Sequence, residues 1–216
     1  DSLYHQIKTK ISTHYSNEEL YQLAKGNHYL AKDYLSCIDP IEFLYQRANN
    51  IVDVDFISKN LELSDNERIR LLESIDEDIV QKLIEIKKWR ILSPEAYDEY
   101  LFSYRPQLND AQLYDLCVKQ VISLPFTIDS LYEFIKQNGD FVSHIYCVKN
   151  LLQQDDFKSL LVRYIDSIEV VTKDDVICII SNMIYAGIDI SDIKNHDLYQ
   201  AIKLNKWLDR SIDNES

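Results

Sequence analysis

The chain has 216 residues, 46% of them hydrophobic and 27% charged, with a formal net charge of −13 and a pI near 4.7. That length buries a core as one large domain or two small ones, and the composition excludes disorder as the default. Three glycines and four prolines disfavour sheet proteins, which need such residues at their turns, and the Gly-rich loops of nucleotide-binding α/β folds.

Helix signals begin at once. Apolar periodicity predicts helices over 3–13, 17–25 and 28–37, the second stopped by Gly26. Asp39-Pro40 and Asn49-Asn50 bound a short helix over 40–50, and another follows over 53–61 before the connector Leu61-Glu62-Leu63. Ser64-Asp65-Asn66-Glu67 is a capping box: the Ser hydroxyl accepts a backbone N–H while Glu67 reaches back to the cap. It opens a helix over 65–75 whose apolar face carries Leu71, Leu72 and Ile75, and 77–91 follows. Ser93-Pro94-Glu95 places proline at the first helical position, where its missing N–H costs nothing, and opens 94–104. Further helices are expected over 110–123, 128–138, 141–153, 155–168, 173–186 and 196–210, with Thr127, Asp140 and Thr172 as N-caps. Gly26, Gly139 and Gly187 each follow an apolar run, where a left-handed C-cap calls for glycine. No segment sustains period-2 alternation, so the fold class is all-α.

A repeat shows in the second half. Helices start near 77, 110, 141 and 173, and Cys117, Cys147 and Cys178 fall in the same register, 30 and 31 positions apart. A two-helix unit of this length suits antiparallel hairpins stacked as a short α-solenoid, because one hairpin cannot bury its apolar faces alone. The alternative is an irregular multi-helix bundle. The unit is similar in length to tetratricopeptide and pentatricopeptide repeats, but their consensus residues are absent, so the likeness is one of architecture. With no Ser/Gly/Pro-rich linker, residues 1–216 read as one domain with a soft sub-boundary near 62–64, and 211–216 as a frayed tail.

The acidic surface repels phosphate backbones and anionic membranes, and no run approaches the roughly 20 apolar residues of a membrane span. Asp1-Ser2-Leu3-Tyr4 has neither a basic nor a hydrophobic leader region, and the missing Met points to a processed chain or a piece of a longer one. Cys37, Cys117, Cys147 and Cys178 stand singly in apolar contexts and read as reduced core thiols of a cytoplasmic protein.

Candidate chemistry is thin. His196-Asp197 has the pairing of helical metal phosphohydrolases but too little chain after it to complete a site. His144 and Cys147 share a helical face at zinc spacing without a second ligand pair. His14 and His28 stand alone and read as surface or capping residues. Asp155-Asp156, Asp174-Asp175 and Asp76-Glu77-Asp78 complete no Asp-Asp-x-x-Asp motif. The two pairs fall in first helical turns, where the dipole favours negative charge. No phosphate loop, zinc-protease motif, nucleophile elbow or calcium loop occurs, so neither catalytic residues nor a cofactor or metal are assigned.

Fifteen tyrosines against seven phenylalanines carry more information. Tyr97, Tyr100 and Tyr104 form one helical stripe, continued by Leu101, which reads first as a helix–helix seam and second as a binding face. Trp89 lies among Lys82, Lys87, Lys88 and Arg90, and Trp207 among Lys203, Lys206 and Arg210. Both groups suit helix C-termini and, more sharply, base stacking with phosphate contact. The sequence therefore predicts a non-enzymatic interaction or scaffold module that takes a basic or amphipathic protein partner. Tyr97, Tyr100, Tyr104, Trp89 and Trp207 are the candidate contact residues, and RNA binding through the two tryptophan patches is the alternative.

Overall fold

The structure is a computed structural model and describes residues 2–138, 144, 147–168 and 173–203. Every regular element among them is a helix. They divide into two compact units, residues 1–112 and 113–216.

The first unit holds α1 (Ser2–His14), α2 (Asn17–Gly26), α3 (Ala31–Ser36), α4 (Glu42–Arg47), α5 (Ile51–Asn60), α6 (Asp65–Ser74), α7 (Ile79–Trp89) and α8 (Pro94–Tyr104). Helix α9 (Asp110–Val118) begins in it and crosses into the second. Caps set the starts. Ser64 and Glu67 form the expected box, Ser93 accepts from Ala96 N–H, and Ser16 with Glu19 makes a second box. Asn50 accepts from Asp53 N–H, which starts α5 two residues earlier than periodicity alone suggests. Asp78 accepts from Val80 and Gln81 N–H, so α7 begins at Ile79 and not at 77.

Helix ends hold the first correction. Gly26 lies inside α2 without a positive φ, and Asn27 follows it in extended backbone. Gly187, with φ of 66°, is the left-handed stop expected of it, and two further stops occur at Arg90 and Gln120, with φ of 53° and 59°. Each is followed by an N–H that reaches back five residues: Ile91 to Ile86 O, Val121 to Leu116 O and Ile188 to Met183 O. These stops end α7 and α9 earlier than the predicted 91 and 123. Gly139, Asp140 and Thr172 lie outside the described residues, as do Trp207 and the tail 211–216. Of the helix expected over 141–153, residues 144 and 147–149 are helical and 150–153 are not, so it stops four residues earlier than expected.

In the first unit α2 packs on α3, α3 on α5, α5 on α6 and α7, α4 on α6, and α7 on α8. Its core includes Leu20, Tyr21, Ala31, Leu44, Val54, Ile57, Leu71, Leu72, Leu83 and Ile86. Burying each of the larger aliphatic side chains is worth roughly 1.5–3 kcal/mol. Two buried charged side chains of this unit are paired. Lys82 is buried and donates to the carbonyls of Leu72 and Ile75, the open end of α6, at 3.0 and 3.2 Å. Asp53 is buried against Lys25 at 2.9 Å and the Asn49 N–H at 3.1 Å.

The second unit continues with α10 (Ile128–Gln137), α11 (Gln154–Ser167), α12 (Lys173–Ala186) and α13 (His196–Lys203). Successive helices pack, α10 on α11, α11 on α12 and α12 on α13, around Leu131, Ile135, Phe157, Leu160, Leu161, Ile165, Leu198 and Ile202. Arg163 of α11 lies over the Tyr132 ring and pairs with Asp129 and Glu133 of α10.

The polar links between elements follow a pattern. In the first unit Glu18–Arg47, Lys25–Asp53, Lys32–Glu62, Asp65–Ser93 and Glu73–Tyr104 join residues 28 to 31 apart. In the second, Tyr114–His144, Glu133–Arg163, Gln154–Tyr185 and Ile165–Asn195 join residues 30 or 31 apart. Shorter and longer reaches accompany them, from Lys82–Leu72 at 10 and Tyr97–Leu83 at 14 to Tyr132–Ser167 at 35.

Two of the four cysteines meet the expectation of core thiols. Cys37 and Cys117 are buried, but Cys178 is half-buried and Cys147 exposed on the short helical stretch 147–149. Among the described residues no helix is long and apolar enough to cross a membrane.

Candidate functional site

Helices α6 and α8 run from starts that are tied together. Asp65, first residue of α6, accepts from both the N–H and the hydroxyl of Ser93, the N-cap of α8, at 3.1 and 2.7 Å. These bonds hold the Asp65 carboxyl below the usual carboxylate range. The registration aligns Ile69 and Glu73, one turn apart on α6, with Glu99, Tyr100, Ser103 and Tyr104 on α8. With Gln107 they line a groove of about 430 Å³.

The tyrosine stripe takes three different places. Tyr97 is 6% exposed and donates to Leu83 O of α7 at 3.1 Å. Burial, with the nearby Asp98 charge, pushes its phenol up to about 12. Tyr100 is 4% exposed and lines the groove floor, and its enclosed hydroxyl has no hydrogen-bond partner. Tyr104 is half-buried at the rim, its ring 5.0 Å from that of Tyr100, and it donates to Glu73 Oε1 at 2.7 Å. Tyr97 is thus a seam residue, while Tyr100 and Tyr104 reach the groove.

Burial raises both groove phenols; Tyr104 and Glu73 raise Tyr100 further, while Glu73 raises Tyr104 and Tyr100 lowers it in part. They stay neutral at physiological pH, which makes them hydrogen-bond donors and poor bases or nucleophiles. Glu73 and Glu99 are exposed, and Glu99 carries no ion pair among the described residues. Two carboxylates beside a tyrosine face are suited to holding an ammonium or guanidinium group, by charge-assisted hydrogen bonds and ring attraction.

The basic patches fare differently. Trp89 ends α7 half-buried. Of its basic neighbours, Lys82 is buried in the end of α6, Lys87 lies over the Tyr97 ring at 6.0 Å, and Lys88 approaches Glu85 at 4.0 Å. Lys82 is thus taken up inside the fold, whereas Lys87, Lys88 and Arg90 are exposed. Lys203 lies over the Tyr199 ring, while Lys206, Trp207 and Arg210 are outside the described residues.

Other candidates resolve as capping or packing. Asp155 and Asp156 occupy the first turn of α11, and Asp174 and Asp175 that of α12. Glu77 accepts from Ile51 N–H, and His144 shares a 2.9 Å hydrogen bond with Tyr114. Sequence reasoning missed Glu73 and Glu99, which become neighbours only when α6 meets α8. The available signal was the pairing of acids with the tyrosine stripe one helical hairpin away.

Comparison with known proteins finds no matching family model, no matching curated protein and no matching solved structure.

Proposed function

We propose that the chain is a non-catalytic interaction module whose units stack helical hairpins, and that it takes a basic segment of a partner protein in the α6–α8 groove. The observation that carries this reading is the meeting of Glu73 and Glu99 with Tyr100 and Tyr104 around one open groove. A lysine or arginine stem lies on the Tyr104 ring, its cationic head meets the two carboxylates, and the unpaired Tyr100 hydroxyl marks the floor. The near-30-residue reach of the links between elements supports the hairpin stack, since in such a stack each hairpin bonds to the next. Burial raises the Cys37 and Cys117 thiols and makes them unreactive, which agrees with a reducing, cytoplasmic setting.

The test is calorimetric titration with an 18-residue amphipathic peptide of lysine and leucine. Replacing both acids, Glu73→Gln with Glu99→Gln, is expected to weaken binding about tenfold, equal to roughly 1.4 kcal/mol. A parallel arm follows the anisotropy of labelled single-stranded RNA. RNA binding that survives near-physiological salt and disappears in Trp89→Ala or Trp207→Ala would overturn the protein-partner reading in favour of nucleic acid.

A further inference from the structure

None of the seven residues lining the α6–α8 groove is a lysine, arginine or histidine, and neither Glu73 nor Glu99 forms an ion pair among the described residues. Acceptors outnumber donors there. Tyr104 gives its O–H to Glu73 Oε1 and Ser103 gives its own to the Tyr100 carbonyl, at 2.7 Å each. A carboxylate accepts about four hydrogen bonds, so Glu73 keeps most of its capacity. The Tyr100 hydroxyl stands apart from both acids. Its residue is 4% exposed, and no hydrogen bond reaches the enclosed oxygen. Buried phenols ordinarily find a partner, so an unpaired one on the floor of an acidic groove marks the place of a missing donor.

Resting on the reading of this groove as the seat of a partner's basic segment, we infer that it selects arginine over lysine, and that the guanidinium donates to the Tyr100 oxygen. The acceptors are spread over three side chains on two helices, Glu73 on α6 with Glu99 and Tyr100 on α8. A guanidinium carries five N–H donors on three nitrogens in one plane. It turns separate edges to the carboxylates and the phenol oxygen while its face lies on the Tyr104 ring. An ammonium gathers three donors on one nitrogen, has no face to stack and holds its water more tightly. The Tyr100 hydroxyl is enclosed, so the Tyr104 ring, 5.0 Å from that of Tyr100, tilts to admit the ligand. Its hydrogen bond to Glu73 then gives way to stronger, charge-assisted ones.

The test uses the full chain and two fluorescein-labelled 18-residue helices, one of arginine and leucine and one of lysine and leucine. The arginine peptide is expected to bind about fivefold more tightly. Asymmetric dimethylation of its arginines keeps the charge but removes donors, and is expected to bring its affinity down to that of the lysine peptide. Tyr100→Phe removes only the unpaired hydroxyl. It is expected to raise the thermal midpoint, because a buried polar group without a partner is lost, and to shrink the arginine preference below about twofold. Equal affinity for the two peptides in the wild type overturns the inference. So does an arginine preference of undiminished size in Tyr100→Phe or with the dimethylated peptide, which a generally acidic surface would produce. A lower midpoint in Tyr100→Phe means that the hydroxyl is already paired, and it overturns the floor contact. If the arginine preference is absent but Glu73→Gln with Glu99→Gln weakens both peptides, the groove still holds a basic segment and only the choice of arginine falls. Binding of both peptides unchanged in that double variant, or no binding of either to the wild type, overturns the groove and the arginine assignment together.

Discussion

Arg90 and Gln120 sit in left-handed backbone, which costs an L side chain roughly 1–2 kcal/mol. Gly187 performs the same helix stop at no such cost. Arg90 is exposed and forms no ion pair among the described residues, so its side chain offers little in return. Arg90→Gly relieves the Cβ strain and gives back part of the gain as unfolded-chain entropy, leaving a net stabilisation of about 0.5–1 kcal/mol. Urea unfolding followed by the Trp89 fluorescence is expected to show a higher midpoint, and an unchanged or lower midpoint contradicts the strain. The sequence pointed to glycine for all left-handed stops because that residue enters the region freely. It could not show that Gly26 stands in ordinary helix while an arginine takes the strained position. The choice is made by packing beyond each helix end, where Ile91 and Val121 are buried and pull the chain into the turn.

At the scale of elements, helix starts marked by Ser or Thr caps were legible, while of the left-handed helix ends only Gly187 was. Ser64, Ser93 and Thr127 announce their helices through side chains that accept identifiable N–H groups, and the structure uses all three. Asp53 could not be read as a buried acid from its surroundings in sequence, since Lys25 is 28 residues away. Its placement joins α2 to α5 and makes a pH-dependent contact. Burial pushes the Asp53 carboxyl up, but the Lys25 ammonium, the Asn49 N–H and Tyr21 together outweigh burial and hold it below its ordinary value. A depressed carboxyl pKa stabilises the fold above the unfolded value of about 3.9 and loses that contribution as pH falls through the folded one. Asp65 is depressed as well and adds to the same acid limb. Asp53→Asn is expected to be less stable than the wild type at pH 7. The gap between the two urea midpoints should narrow as pH is lowered from 6 towards 3. Parallel midpoint curves across that range would rule out Asp53 as a titrating contact.

For the molecule as a whole, the all-helical class and the sign of its field follow from composition, while the grooves do not. A groove needs two helices brought together, and Glu73 meets Tyr104 only through a fold that joins positions 31 apart. The field is nonetheless part of how such grooves are reached. With a net charge of −13, the chain attracts a basic segment over distances set by the Debye length, about 30 Å at 10 mM salt and about 8 Å at 150 mM. Attraction at that range speeds encounter, whereas the contacts at Glu73, Glu99 and Tyr104 are short and act on the lifetime of the complex. Stopped-flow mixing with the lysine–leucine peptide separates the two. Raising salt from 10 to 150 mM is expected to slow association about tenfold and to change dissociation by less than about threefold. Glu73→Gln with Glu99→Gln should do the reverse, speeding dissociation more than it slows association. If salt and substitution act on the same rate constant in the same proportion, the two carboxylates contribute only to the general field, and the groove does not hold the partner's cation.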